Sequence, residues 1–289
     1  MGTAAVNGED GTTPARHYLL GHTESELRRL DLQGALYRDT TRRALIEAGV
    51  GPGMRVLDIG CGTGDVALTA AELVGPGGYV LGVDHGPQAI ATAAAKVETL
   101  GLEHVAFEVT ELEDFERPVA FDAMVGRFVL MHQADPADVL RRLVRSVRPG
   151  GAVAIVESWM EVLRTGGHSH PHSPLYDEIV RWKSAVVAGA GADLHAGGRL
   201  RATLAEAGLE HIECRMEALV AGGPDSPYYE YVEQSVRSML PEAARQGLGV
   251  FTAESARGLA DRLREEVTRT RGSLLAWPVV AGRATVPGV

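Results

Sequence analysis

Cysteine is scarce: the 289 residues contain only Cys61 and Cys214, with no CxxC spacing, which argues against a disulfide framework or a thiolate zinc site. No apolar run reaches the ~18 residues that a membrane-crossing helix requires, and no basic stretch followed by an apolar one opens the chain. Basic charge is also in short supply. Lys and Arg number 28 against 38 Asp and Glu, a net charge of -10, and the pI is near 5.5. That balance argues against a general nucleic-acid or anionic-membrane surface while leaving room for a local basic pocket. The expectation is a soluble, cytoplasmic protein, 45% hydrophobic, long enough for one large domain or a core with a cap.

The most informative stretch runs from Val56 to Asp65, where an apolar segment ends in Gly60, Gly62 and Gly64, each separated by one residue. An apolar run, a turn poor in Cβ atoms and a helical pattern in sequence predict a buried strand feeding a tight turn. Its amides and the following helix N-terminus can approach a ligand closely. Cys61, inside this turn, reads as a small space-filler rather than a nucleophile.

Candidate strands follow at Arg55–Ile59, Tyr79–Val83, Val105–Val109, Phe121–Val125 and Gly151–Glu157, with helices near Asp65–Val74, Gln88–Leu100 and Ala137–Val147. This alternation implies βαβ crossovers and a parallel sheet with helices on both faces. Residues 1–15 read as a disordered tail and 16–50 as a helical cover, with Thr23 and Glu26 as a capping box and Gly49 as a stop. The core is expected over 51–289, with helical cap insertions near 160–197 and 222–272. Late strands are expected at Ile212–Leu219 and Leu274–Val280, the second carrying Pro278 at an edge or bulge. Pro241-Glu242 and Gly247 to Gly249 are expected to punctuate the helices of the second insertion.

Asp84 ends the second strand twenty residues after Gly64, where a carboxylate can accept hydrogen bonds from both hydroxyls of a ribose lying over the turn. The other reading is a strand-end Asp capping the helix after Gly86-Pro87. Glu111 and Leu112 end the third strand and could receive and cover an adenine; Glu111 also fits a solvated acidic loop. A dinucleotide fingerprint is disfavoured, because its third glycine would come one residue later.

Val56–Gly64, Asp84, Glu111, Phe121–Leu130 with Asp135-Pro136, and the Val147–Gly151 lead-in to the fifth strand together resemble the class I S-adenosylmethionine-dependent methyltransferases. The resemblance is nearest the small-molecule, ubiquinone/menaquinone type and covers roughly Arg55 to Glu157. It implies a Rossmann-like α/β fold whose seven-stranded sheet has an antiparallel last strand, with S-adenosylmethionine as cofactor. Carried over by position, Asp58 and the turn Gly60, Cys61, Gly62 and Gly64 would hold the methionine part. Asp84, with neighbouring His85, would take the ribose, and Glu111 with Leu112 the adenine. Gly126 and Arg127 would line the methionine side. Tyr18 and Gln33 would fold over the cofactor from the N-terminal helix, though helical packing explains both as well.

A sulfonium methyl is already electrophilic, so alignment of the acceptor and exclusion of water carry much of the catalysis, and a base is needed only for a protonated acceptor. Candidates are His132 beyond the fourth strand, Glu157 at the end of the fifth, and His168 in the loop His168-Ser169-His170-Pro171-His172. His132 fits a helix-start residue equally, Glu157 could pair with an arginine, and the histidine loop could bind metal, meet substrate or be solvated; no metal site is assigned. Tyr228, Tyr229, Tyr231 and Trp182 could cap an apolar acceptor or pack cap on core. The expectation is methyl transfer to O, N or C of a small, apolar, secondary-metabolite-like acceptor, with no nucleic-acid or membrane partner and a homodimer as the default assembly. The alternative is the same cofactor site used for cyclisation or rearrangement without methyl transfer.

Overall fold

The computed structural model describes residues 24–164 and 166–288. Thr23 of the expected capping box, Tyr18 and the tail 1–15 lie outside the described residues. Glu26 is inside them and binds Arg29 through two hydrogen bonds of 2.6 and 2.8 Å.

A long helix α1 (Glu24–Glu47) precedes β1 (Arg55–Ile59), α2 (Asp65–Val74), β2 (Tyr79–Asp84), α3 (Pro87–Leu100), β3 (Val105–Val109) and β4 (Phe121–Arg127). A 3-10 turn at Leu130–His132 leads to α4 (Pro136–Leu143) and β5 (Val147–Ser158). Next come β6 (Ser169–His170), α5 (Pro174–Gly189), α6 (Ala196–Glu206), β7 (Glu210–Glu217) and β8 (Val220–Gly222). The chain ends with α7 (Tyr228–Arg245), α8 (Leu259–Thr270), β9 (Ser273–Leu275) and β10 (Val279–Thr285).

The main sheet has the order β3-β2-β1-β4-β5-β10-β7. Strands β1 to β5 are parallel, and β10 runs antiparallel between β5 and β7. From β1 the chain winds outward through β2 and β3, then returns to start β4 on the other side of β1. That reversal opens a crevice outside the carboxyl ends of β1 and β4, where open α/β sheets bind ligands.

Both faces of the sheet are covered, which is why its central strands are nearly continuous apolar runs. Leu57, Ile59, Met124 and Ile155 pack with Leu140 and Leu143 of α4 and Leu200 and Leu204 of α6. On the opposite face Val56, Val80 and Val125 meet Val66, Ala70 and Val74 of α2 and Leu45 of α1. The helix starts are chemically marked. Asp135 accepts from the Asp138 amide ahead of Pro136, and Ser173 from the Tyr176 amide ahead of Pro174.

Two expectations are corrected. The single closing strand Leu274–Val280 is two strands: β9 joins a small sheet with β6 and β8, and β10 joins the main sheet. The break falls at Ala276-Trp277-Pro278, because Pro278 has no amide to offer a ladder. Its carbonyl instead receives the Trp159 amide at 2.8 Å. Nor does Pro241 punctuate: α7 runs through it. An internal proline costs a helix about 3 kcal/mol, but Tyr228, Tyr229, Val232, Val236, Met239 and Ala243 bury one face of α7, and that apolar burial outweighs the local penalty. Among the described residues no helix is long and apolar enough to cross a membrane.

Candidate active site

The turn after β1 is built by glycine. Gly60, Gly62 and Gly64 have φ of 60, 52 and 84°, a region where a Cβ is strained. A Cβ on Gly60 would also lie 2.5 Å from Val129 of the turn after β4, so the two turns close on each other. At Gly62 nothing lies within 4 Å of that position, leaving the backbone open to a ligand. Helix α2 then starts at Gly64 with no side-chain cap, so its first amides keep the anion-seeking character of a helix N-terminus.

Three carboxyl groups surround this turn. Asp58 is fully buried in β1, and neither oxygen has a hydrogen-bond partner among the described residues. Burial pushes its carboxyl well up, with the Arg127 charge and the Ala67 amide acting against burial at longer range. Asp84 accepts the Gly62 amide at 2.9 Å through one oxygen and the Gly86 amide at 2.8 Å through the other. The half-exposed His85 imidazole lies 3.5 Å from Asp84. Asp65, at the start of α2, is paired with Arg127.

Arg127, at the end of β4, also donates to Thr41 of α1 at 2.9 Å. Burial lowers its guanidinium to about 10, with Asp58 and Tyr37 resisting the shift. Gly34 on α1 is what lets that helix come so close. A Cβ there would stand 3.0 Å from Asp65. Gln33, beside it, donates to the Tyr231 hydroxyl at 3.2 Å.

Glu157 does something different from what its position suggested. It is fully buried, and Oε1 accepts the amides of Val129 and Leu130 at 2.9 and 2.6 Å. Those amides follow Phe128, a bulky residue with φ of 57°. Such a conformation persists only when its surroundings over-determine it. The carboxylate thus holds the turn after β4 in place and directs Phe128 edge-on onto Tyr37, ring centroids 5.4 Å apart. Burial raises Glu157 to about 7 against the amides that favour its charged form.

The remaining sequence candidates are dispersed. His132 is half-buried in the 3-10 turn beyond β4. His168 sits in the cap, its Nδ1 3.1 Å from the Leu163 carbonyl and its Nε2 against the Asp177 carboxylate. Asp177 is a partner that the sequence had not disclosed. His172 reaches the same carboxylate at 3.8 Å. Among the described residues no group of three His, Cys, Asp or Glu could hold a metal. Glu111 is exposed beyond β3, and the Leu112 side chain is buried in the core with Leu81 and Val83. Cys61 is a buried free thiol raised by burial and by the charges of Asp58 and Asp84, which suits a filler.

Thr41, Asp65, Tyr37, Trp277 and Lys183 were missed. A signal existed for Lys183: it stands in phase with Tyr176, Val180 and Val187 on the apolar stripe of α5.

The sheet order, the antiparallel β10 and the glycine turn flanked by Asp58 and Asp84 define a class I S-adenosylmethionine-dependent methyltransferase fold. Residues 51–208 match the family described as "Methyltransferase domain". A demethylmenaquinone methyltransferase of Bacillus cytotoxicus is 38% identical over 112 residues, 38% of this chain and 46% of that protein. The nocamycin O-methyltransferase of Saccharothrix syringae is 33% identical over 120 residues, 41% of this chain and 43% of that one. The match thus spans less than half the length of these curated relatives. The YcgJ protein of Bacillus subtilis superposes with a TM-score of 0.59 at 17% identity, over 87% of this chain and 100% of its own, a likeness of fold. The chain belongs to the methyltransferase-domain family.

The site residues fit the family's cofactor: an open backbone cradle at Gly62, an uncapped helix start, and a buried Asp58 carboxyl whose oxygens await donors.

Two outcomes are expected. Asp84→Ala should weaken S-adenosylhomocysteine binding about tenfold or more, through loss of its charged acceptor and of the Gly62 anchor; titration calorimetry with unchanged affinity would overturn the ribose assignment. Glu157 has a folded pKa near 7 against 4.5 ordinarily, so its contribution to stability is complete below about 4.5 and is lost as pH rises to about 7. Denaturant unfolding of wild type and Glu157→Gln should therefore show a stability difference, wild type minus variant, that falls across that window and is flat outside it.

Proposed function

We propose that this protein transfers the methyl group of S-adenosylmethionine to a small acceptor enclosed between the glycine turn and the helical cap. The observation that carries this reading is the contact network that ties α1 and the cap aromatics to the strand ends beside the turn: Tyr37 meets Phe128 edge-on and donates to the Trp277 carbonyl, Gln33 donates to Tyr231, and Arg127 responds to Asp58, Tyr37 and Tyr231. When bound, the cofactor supplies an electrophilic methyl carbon on a positive sulfur.

The chain's own residues then have three tasks. Asp84 binds a ribose, and the Cβ-poor backbone of the Gly60–Gly64 turn with Asp58 holds the methionine end. The Arg127 ties to Asp65 and Thr41 keep α1 closed over the crevice, which excludes water and restricts the approach of the acceptor. The raised phenols of Tyr37, Tyr176 and Tyr228 stay protonated, so they donate hydrogen bonds and bear no charge to trap the sulfonium. The apolar, aromatic character of the cover favours an apolar acceptor of the secondary-metabolite kind.

The test is methyl counting. Label from methyl-tritiated S-adenosylmethionine should appear in a small-molecule product, and a product formed without added methyl sinks the reading in favour of rearrangement. Cofactor binding should also release protons, because the amino group of the methionine end favours the charged form of the Asp58 carboxyl that burial raises. Calorimetry in buffers of different ionisation enthalpy should record that release, and Asp58→Asn should abolish it.

A further inference from the structure

One buried cation has no role in the site described above. Lys183 of α5 is 3% exposed, and none of its interactions with the described residues is a hydrogen bond or ion pair with a carboxylate. Its ammonium stands over the faces of Trp277, at 4.3 Å from the centroid, and Tyr231, at 5.2 Å. The further charge that acts on it is Arg29 of α1, which is like-signed and engaged with Glu26. Around Tyr231 of α7 lie Tyr228 of the same helix, Gln33 of α1 and, through electrostatic influence, Tyr37 of α1 and Arg127 at the end of β4. Tyr228 is hydrogen-bonded to Tyr176 at 2.5 Å, and Tyr176 donates to the Leu275 carbonyl. None of these neighbours is an anion that could neutralise Lys183.

A buried charge without a partner is expensive, and proteins keep one chiefly where a ligand completes it. Trp277 and Tyr231 would make good walls for a quaternary or tertiary ammonium. Lys183 already occupies their faces, so a cationic acceptor would meet charge repulsion in a desolvated site. An acidic oxygen would meet the reverse: a donor at the centre of an aromatic wall.

We propose that Lys183 Nζ receives the reacting oxygen of the acceptor, and that the acceptor class is therefore a small aromatic or enolic compound with an acidic O–H, methylated on that oxygen. The inference rests on the methyl-transfer reading above and narrows it from O, N or C to oxygen. The acceptor enters neutral, and its proton passes to the Lys183 amine, giving an oxyanion paired with an ammonium and no net change in buried charge. The oxygen's electron pair then forms the O–CH3 bond as the S–CH3 bond breaks with its pair passing to sulfur. The proton stays on Nζ until the product leaves, then goes to water. Burial and Arg29 lower Lys183 to about 7, so the neutral amine is present at physiological pH.

The experiment uses the full chain, tritium-labelled methyl donor, and a panel of apolar phenols, cyclic enols and β-diketones beside apolar amines of matched size. Acidic-oxygen members should be methylated and amines should not. Lys183→Met should lower kcat on the best acceptor on the order of 100-fold or more, with S-adenosylhomocysteine affinity unchanged. The wild-type rate should rise with pH through about 7, following the neutral amine. In Lys183→Arg, which keeps the charge but cannot take the proton, that limb should move up towards the acceptor's own ionisation. If Lys183→Met fails to fold, the arginine variant decides alone. Preferential methylation of amines overturns the assignment. So does methylation of no panel member by a chain that binds the donor, or an unmoved limb with wild-type rates in the variants. A wild-type chain that binds no S-adenosylhomocysteine removes the methyl-transfer reading itself, and the assignment with it.

Discussion

The buried guanidinium of Arg127 holds the functional half of this molecule together. It ends β4, pairs with Asp65 at the start of α2, and donates to Thr41 of α1. Three elements that are distant in sequence thus meet at one charge. Its burial is costly enough to pull its pKa down to about 10, with the Asp58 carboxylate and the Tyr37 and Tyr231 phenols acting against that shift and Asp65 paired with it directly. Breaking such a pair leaves an uncompensated charge worth about 3–5 kcal/mol, whereas replacing both partners by apolar groups would lose little stability. The pair is therefore better understood as fixing geometry than as adding stability. Gly34 belongs to the same device, since a Cβ there would press on the Asp65 side chain at 3.0 Å.

A second chain of dependence runs from the fifth strand. Glu157 gathers the Val129 and Leu130 amides, those hold Phe128 in a left-handed conformation, and Val129 in turn seats against Gly60. A carboxylate in β5 thereby shapes the glycine turn at the end of β1, two strands away in the sheet. The turn's openness at Gly62 is a consequence of this bracing as much as of its own glycines.

The core was legible because its signals are local. A strand buried on both faces writes an apolar run, a crossover helix writes a 3.6 period, and a cradle needing positive φ writes glycine, so β1, α2 and Asp84 could be read directly from their order and spacing. What could not be read depends on contacts across the chain. Asp177 as the partner of His168, and Asp65 as the partner of Arg127, lie 9 and 62 positions away, and nothing local marks them. Glu157 was legible as a polar group at the end of a strand, but the amides that occupy it belong to a turn whose conformation is tertiary. Pro241 and the split between β9 and β10 failed for the same reason. Local rules give the cost of a proline, whereas the burial that outweighs it, or the second sheet that exploits it, comes from elsewhere.

Charge accounting ties the core to the cap. Glu26 neutralises Arg29, and Asp65 neutralises Arg127, each within the protein. Asp58, Glu157 and Lys183 are buried ionisable groups whose pKa values burial drives towards the neutral form. Under the readings proposed above, Asp58 would meet the cationic amine of the donor and Lys183 an acidic oxygen of the acceptor, so each charge would form beside a ligand group of opposite sign rather than alone in the interior. On those readings the glycine turn would select the donor, and the apolar stripe of α5, interrupted by one lysine, what the methyl group is given to.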